Sequence, residues 1–201
     1  ARLQGGPDGG PQGGPSGSTR MELVIVDDHP AVRAGLRGLI DDEEGIRVAA
    51  TAASAREGFE AIADVRPAVA LIDLHLPDDD GLSLCLRTRA LPAPPRVIVY
   101  SANADAMLEV LAAIAGAEAV VSKSAPPDVL LAALRGAPRA PLNARALRAV
   151  GARLEPDDLA ILGMLAHGVA DEEIAATLGI DADALLARRA AMLPRRPLAA
   201  A

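Results

Sequence analysis

Aromatic residues are almost absent from this chain of 201 residues, which contains one Phe, one Tyr and no Trp. Since 51% of the residues are apolar, the core must be built mainly from Ala, Val, Leu and Ile. The single cysteine, Cys85, excludes an internal disulfide and fits a reducing cytoplasm. We interpret it as a helix packing residue rather than a redox centre.

Long apolar runs are also missing, because none reaches the roughly 18 residues of a membrane span. The N-terminus lacks the basic and apolar blocks of a signal peptide. The net charge of −7 argues against a general nucleic-acid coat. We therefore expect a cytoplasmic protein with no membrane partner.

The first 20 residues contain GGPDGGPQGGPSG, a repeat rich in Gly and Pro. Gly maximises chain entropy and Pro lacks an amide donor, so residues 1–20 are predicted to be a disordered leader. Met21 directly precedes the first apolar run. The leader is therefore either native or an extension upstream of the natural start, and the sequence leaves both open.

Residues 21–135 alternate short apolar runs with helical stretches. The runs are β-branched-rich and apolar on both faces, as in a parallel strand covered by helices; they occupy 23–26, 46–52, 69–73, 96–100 and 119–122. Helices are predicted at about 30–40, 54–64, 82–89, 104–115 and 127–135, with Ser54 as the cap of the second. This pattern predicts an α/β fold with a doubly wound, five-stranded parallel sheet.

A smaller unit follows. Residues 136–153 are predicted to be a linker containing Gly, Pro and Arg, and residues 194–201 a tail. Residues 154–193 indicate three short helices, at about 156–166, 171–178 and 182–193. Helices of this size with sharp turns suggest a helix-turn-helix module for nucleic acid or protein.

Polar residues follow the apolar runs of the first domain at the strand ends: Asp27 and Asp28, Asp73, Ser101, and Ser122 with Lys123. In the predicted sheet these ends converge at one edge, where ligands bind. Clustered carboxylates suit Mg²⁺, and Asp73 could then act as a nucleophile toward a phosphoryl group. Each residue alone also has a structural explanation; Asp28, for example, could cap a helix.

The motifs VDDHP, LIDLHLPDDDG, VIVYSA and AVVSKSAPP resemble the receiver domain of bacterial two-component response regulators. VDDHPAVRAGL is most similar to the nitrate-regulator class, whose members carry a C-terminal LuxR-type helix-turn-helix. The resemblance implies a flavodoxin-like sheet of strand order 2-1-3-4-5. It also implies phosphorylation by a sensor histidine kinase with Mg²⁺ as cofactor.

Carried over residue by residue, the resemblance makes Asp73 the phosphoacceptor. It implies that the metal is held by Asp28, Asp73 and the backbone carbonyl of His75, with Asp27 acting through water. The residues that it places against the phosphoryl group are Ser101, Ala102 and Lys123.

The sequence departs from the family in several places. An aromatic switch residue is usual three positions before the lysine, where this chain has Val120. The acids Asp78 and Asp79 are additional, and we interpret them as part of a solvated loop. No special role is assigned to His29 or His167.

The helix-turn-helix resemblance is weaker at the recognition helix, where ALLARR replaces the usual donors and Leu186 occupies the usual lysine position. Residues 151–201 carry five arginines and eight acids, a net charge of −3 that disfavours DNA. Pro194 and Pro197 interrupt the place of the family's fourth helix, which often pairs subunits. The remaining DNA-binding candidates are Arg188, Arg189, Arg195 and Arg196.

Three functions remain open. The first is a phosphorylation-controlled transcription regulator, and the second is a receiver whose degenerate output domain binds proteins rather than specific DNA. The third is an aspartyl phosphatase, which usually needs an acid at the position of His75. We expect no enzyme, apart from the slow hydrolysis of its own phosphoaspartate that receivers perform. Expected partners are a histidine kinase, weakly bound DNA and a second copy, through the receiver face near Ala104–Ala115 and Val121.

Overall fold

The computed structural model describes residues 20–194. The predictions for the leader before Arg20 and for Arg195 and Arg196 therefore lie outside the described residues. None of the helices within residues 20–194 is long and apolar enough to cross a membrane.

Five parallel strands form one sheet in the order β2-β1-β3-β4-β5, which confirms the predicted topology. The register of β1 on β2 shifts between Leu23 and Val24. The strands are β1 (Met21–Val26), β2 (Ile46–Ala52), β3 (Val69–Asp73), β4 (Arg96–Ser101) and β5 (Ala119–Ser122). β3 is buried at every residue, as expected for a central parallel strand.

Helices cover both faces of the sheet, as the alternating pattern predicted. Ser54 caps the second helix by accepting a hydrogen bond from the amide of Glu57. One face packs against α1 (Pro30–Asp41) and α5 (Pro127–Leu134); the other packs against α2 (Ala55–Val65), α3 (Gly81–Arg89) and α4 (Ala106–Ala115). Cys85 is fully buried in α3, where burial raises the pKa of its thiol, so it is a packing residue as predicted.

After α5, the described residues form four helices, rather than three. They are α6 (Ala144–Gly151), α7 (Pro156–Ala166), α8 (Asp171–Leu178) and α9 (Ala182–Met192). The additional helix, α6, lies inside the segment that we predicted to be a linker. It forms because Asn143 caps its first turn and because Ala146 and Val150 are buried against the rest of the molecule.

The last four helices share a core with the sheet domain. Ile161, Leu165 and Leu185 belong to the same buried cluster as Leu108 and Ile114 of α4. α4 is apolar almost all round, and seven of its ten residues are buried. A helix of that composition needs packing partners on more than one side, and the sheet and the C-terminal helices provide them.

Candidate functional site

The carboxyl ends of β1, β3 and β5 bring three charged side chains together. Asp27 and Asp73 are 1% and 3% exposed, and both accept hydrogen bonds from Lys123. The Nζ atom of Lys123 lies 2.7 Å from Oδ2 of Asp27 and 2.8 Å from Oδ2 of Asp73. Two buried carboxylates are costly unless a cation lies between them, and Lys123 supplies that charge.

Lys123 is the only lysine among the 20 Lys and Arg residues of the sequence. Burial by itself lowers its pKa, but the hydrogen bonds and charges of Asp27 and Asp73 outweigh burial, and the net effect is a raised pKa. Lys123 is therefore protonated at neutral pH. An ammonium is a compact charge that can contact two oxygens from different strands at once.

Asp28 lies at the rim of this cluster, with 36% of its side chain exposed. The structure excludes helix capping as its role, because the residue that begins α1 as N-cap is His29, and no side chain caps that helix. Asp28 instead contacts the imidazole of His29. Possible ligand atoms of Asp27, Asp28, His29 and Asp73 all lie within 4.8 Å of one another, an arrangement that could hold a metal ion.

Ser101 is the last residue of β4 and is fully buried. Its hydroxyl accepts a hydrogen bond from the amide of Asn103 and contacts the Asn103 carbonyl, both at 3.2 Å. The hydroxyl is thus engaged with its own loop rather than with Asp73. Ala102 is exposed beside it. The phosphoryl contacts of both residues stay predictions.

The loop after β3 is held close to Asp73 by backbone contacts. The amide of His75 donates to Oδ1 of Asp73 at 3.3 Å, and the amide of Gly81 donates to the Leu74 carbonyl at 2.8 Å. A Cβ atom on Gly81 would lie 2.1 Å from the Asp73 carbonyl oxygen, so only glycine fits here. No role was predicted for Gly81, although its place directly after three acids at the start of a helix was a signal in the sequence.

Asp78 is exposed, as predicted for a solvated loop, but its carboxylate also binds backbone amides of α2. Its two carboxylate oxygens accept hydrogen bonds from the amides of Ala55 and Arg56, at 2.7 and 3.0 Å. Desolvation raises the pKa of Asp78, but the backbone hydrogen bonds from Arg56 and Ala55 outweigh it and lower the pKa below 3.8. Asp78 thereby joins the loop of the site to the first turn of α2, which no local sequence pattern reveals.

Comparison with known proteins agrees with this geometry. The family model for the response regulator receiver domain matches residues 23–135. The chain belongs to this family. It is 31% identical over 172 residues to the DNA-binding transcriptional activator DevR/DosR of Mycobacterium tuberculosis, covering 77% of this chain and 78% of that protein. It is 29% identical over 174 residues to the nitrate/nitrite response regulator NarL of Escherichia coli K12, covering 79% and 81%.

The likeness extends to the C-terminal helices. The RcsB response regulator of Salmonella typhimurium, solved in a study of its conformational dynamism for DNA interaction, superposes with a TM-score of 0.55 and 26% identity. The match covers 87% of this chain and 90% of that one. The protein is accordingly a two-component response regulator of the transcription-regulator type, with a receiver and a C-terminal helical output domain.

Of the arginines that we proposed for DNA, Arg188 and Arg189 lie within the described residues, and both are engaged in contacts within the chain. Arg189 of α9 is 1% exposed. It donates from Nε to the Ile114 carbonyl at 2.6 Å and from Nη2 to the Ala113 carbonyl at 2.8 Å, both at the C-terminal end of α4. It also pairs with Asp171, which in turn pairs with Arg89 of the receiver at 2.7 Å. In this arrangement Arg189 cannot reach a DNA phosphate, which corrects the prediction.

Arg188 is also engaged within the output domain. Its guanidinium lies 3.1 Å from Asp157 and 3.2 Å from Asp158, and 32% of its side chain is exposed. The exposed residues of α9 are small or acidic: Ala182, Asp183, Ala187, Ala190 and Ala191. No hydrogen-bond donor side chain stands among them.

The receiver face that we expected to pair two copies is largely covered. α4 packs against α6, α7 and α9 of the same chain, and Val121 is 4% exposed. The sequence signal for this packing was the nearly uniform apolarity of α4. Pairing of two copies through α4 would require these helices to move away.

Proposed function

We propose that Asp73 is the phosphoacceptor of this response regulator and that a histidine kinase is the phosphoryl donor. The observation that carries the proposal is the buried contact of Lys123 with Asp27 and Asp73 at the strand ends. A buried carboxylate beside an ammonium is placed to act as a nucleophile, and the same ammonium can neutralise the negative charge of the phosphorylated product.

In the transfer step, an oxygen of Asp73 forms a bond to phosphorus, and the bond from phosphorus to the donor nitrogen breaks with its electron pair leaving on the donor. Lys123 can donate a hydrogen bond to the phosphoryl oxygens once they are attached to Asp73, because its Nζ atom already contacts that carboxylate. Ser101 would have to leave Asn103 to donate to a phosphoryl oxygen, and Ala102 leaves space beside Asp73.

A divalent cation completes the proposed site. Asp28, Asp73 and the backbone carbonyl of His75 would hold Mg²⁺, and Asp27 would act through water. The donor set is oxygen-rich, as Mg²⁺ prefers, and three acids against one lysine leave negative charge to be neutralised. When bound, Mg²⁺ would neutralise oxygens of the transferring group.

Acetyl phosphate tests the proposal. Incubation with Mg²⁺ should add the mass of one phosphoryl group to the intact protein, and alkali should remove it because acyl phosphates hydrolyse there. Asp73→Asn should abolish the gain, while Asp79→Asn, which changes an acid in the same loop, should retain it. A label that survives Asp73→Asn would contradict the assignment. Slow loss of the label at neutral pH would measure self-hydrolysis, the one enzymatic activity that we propose.

A second candidate concerns output. The exposed side of α9 carries alanines and one acid, and direct base readout needs donors there. This observation favours an output domain that acts through protein contacts, with at most weak binding to DNA. The cytoplasm, where histidine kinases of such systems act on their regulators, is the proposed location.

A further inference from the structure

His29 was assigned no role from the sequence, yet its side chain faces the acidic cluster. Its Nδ1 atom lies 2.5 Å from Oδ1 of Asp28 and 3.6 Å from Oδ1 of Asp27. The imidazole is 66% exposed, so no packing forces it into this position. It forms part of the rim through which a cation would enter.

The backbone fixes His29 at this rim. Its amide donates to Oδ1 of Asp27 at 2.8 Å, and the next residue, Pro30, begins α1 with a restricted φ. Arg33, one turn later, donates to the carbonyl of Asp27. The carboxylate that Lys123 holds in the cleft therefore also positions the histidine.

The distances fit a shared ion. In an octahedral site with bonds of about 2.1 Å, neighbouring ligand atoms lie about 3 Å apart and opposite ones about 4.2 Å apart. The Nδ1 atom of His29 and the ligand atoms of Asp28 and Asp73 belong to a group of possible ligand atoms that all lie within 4.8 Å of one another. Nδ1 also lies 3.6 Å from Oδ1 of Asp27, which would act through water. The 2.5 Å separation of Nδ1 from Oδ1 of Asp28 is about 0.5 Å shorter than that of neighbouring ligands, so the exposed imidazole would have to turn toward a shared ion.

We propose that His29 is an additional metal ligand, which shifts the preference of the site from Mg²⁺ toward divalent transition metals that accept nitrogen. Mg²⁺ takes oxygen ligands almost exclusively, whereas an imidazole nitrogen adds affinity for ions such as Fe²⁺, Co²⁺ and Ni²⁺. The inference rests on the proposed metal site and states which cations that site prefers.

Calorimetric titration of the full chain with Mg²⁺ and, separately, with Co²⁺ tests the proposal. His29→Gln should lower the affinity for Co²⁺ by about tenfold or more and leave that for Mg²⁺ within about twofold. The absorption spectrum of bound Co²⁺ should change in the same variant, since one nitrogen donor is lost. The matched control is His167→Gln, because His167 lies in the output domain, where its Nδ1 contacts the Gly163 carbonyl.

The two levels of the proposal fail in different ways. If both cations bind the wild type and His29→Gln leaves their affinity ratio and the Co²⁺ spectrum unchanged, His29 is not a ligand, although the metal site stands. An equal loss of both cations in His29→Gln also overturns the selectivity. If neither cation binds, or if Asp28→Asn changes neither affinity, the metal site itself is refuted.

Discussion

The two halves of this response regulator use their charged residues in opposite ways. In the receiver, Lys123 and two acids converge on a cleft at the sheet edge, where they can meet a phosphoryl group. In the output domain, Arg189 is buried against carbonyls of α4, and the partly exposed Arg188 pairs with acids of its own domain. The comparison teaches that a chain can keep the charged cluster of a receiver while the helix expected to contact DNA lacks fully exposed basic side chains.

The interface between the halves gives this difference a physical cause. The guanidinium of Arg189 lies at the C-terminal end of α4, where it donates to the Ile114 and Ala113 carbonyls and where the helix dipole favours a cation. Burial lowers the pKa of Arg189, and the nearby charge of Asp171 opposes that effect. An arginine bound in this way stabilises the packing of α9 against α4, and its guanidinium is not accessible to DNA.

The largest expected effect comes from removing this contact. Arg189→Met should reduce the free energy of unfolding by about 3 kcal/mol, because it removes the buried hydrogen bonds to the Ile114 and Ala113 carbonyls and leaves the partly buried Asp171 with a weaker pairing. Urea unfolding followed by circular dichroism measures the loss. Proteolysis should also become faster between α5 and α6 if the output helices separate from the receiver.

The neighbouring arginine provides the control. Arg188→Met removes the same charge from the same helix, but its ion pairs with Asp157 and Asp158 are partly exposed and should contribute less than about 1 kcal/mol. Equal destabilisation by the two substitutions would contradict the distinct role that we assign to Arg189.

A smaller effect is expected at the loop of the receiver site. Asp78→Asn should destabilise the protein at neutral pH by about 0.5 kcal/mol, since one of two capping hydrogen bonds to α2 is lost along with the charge. The pKa of Asp78 is lowered in the folded state, so its contribution is present above the unfolded value of 3.8 and is lost as the pH falls through the folded value.

Parallel denaturation of wild type and Asp78→Asn at several pH values checks this. The difference in stability should be constant near neutral pH and should shrink at acidic pH. Asp79→Asn is the matched control, because Asp79 bonds only to the following amide and lies 3.9 Å from Arg87. A difference that grows toward acid would overturn the account of Asp78.

Much of the receiver could be predicted because its signals are local. Each strand is a short apolar run that ends in a polar residue, and the alternation of strands and helices restricts the topology to a doubly wound sheet. Asp27, Asp73 and Lys123 could be placed together for the same reason, since the carboxyl ends of parallel strands share an edge.

The remaining features depend on contacts distant in sequence. Asp78 binds amides 23 and 22 residues away, and Arg189 binds carbonyls 75 and 76 residues away. No periodicity indicates such partners. An arginine at position 189 is a residue type that often contacts DNA, yet its side chain is buried. Only the packing of α9 on α4 reveals that burial.

The most direct test of the contrast between the halves is selection of DNA from a random oligonucleotide library by the full-length protein, with and without acetyl phosphate. Fluorescence anisotropy at moderate salt would then compare the best selected sequence with a scrambled one. We predict that the two differ by less than about tenfold in Kd, because the exposed positions of α9 carry no donors for base edges and Arg188 is paired with Asp157 and Asp158. Discrimination of about a thousandfold, as specific regulators achieve, would contradict the account and show that the output domain reads DNA.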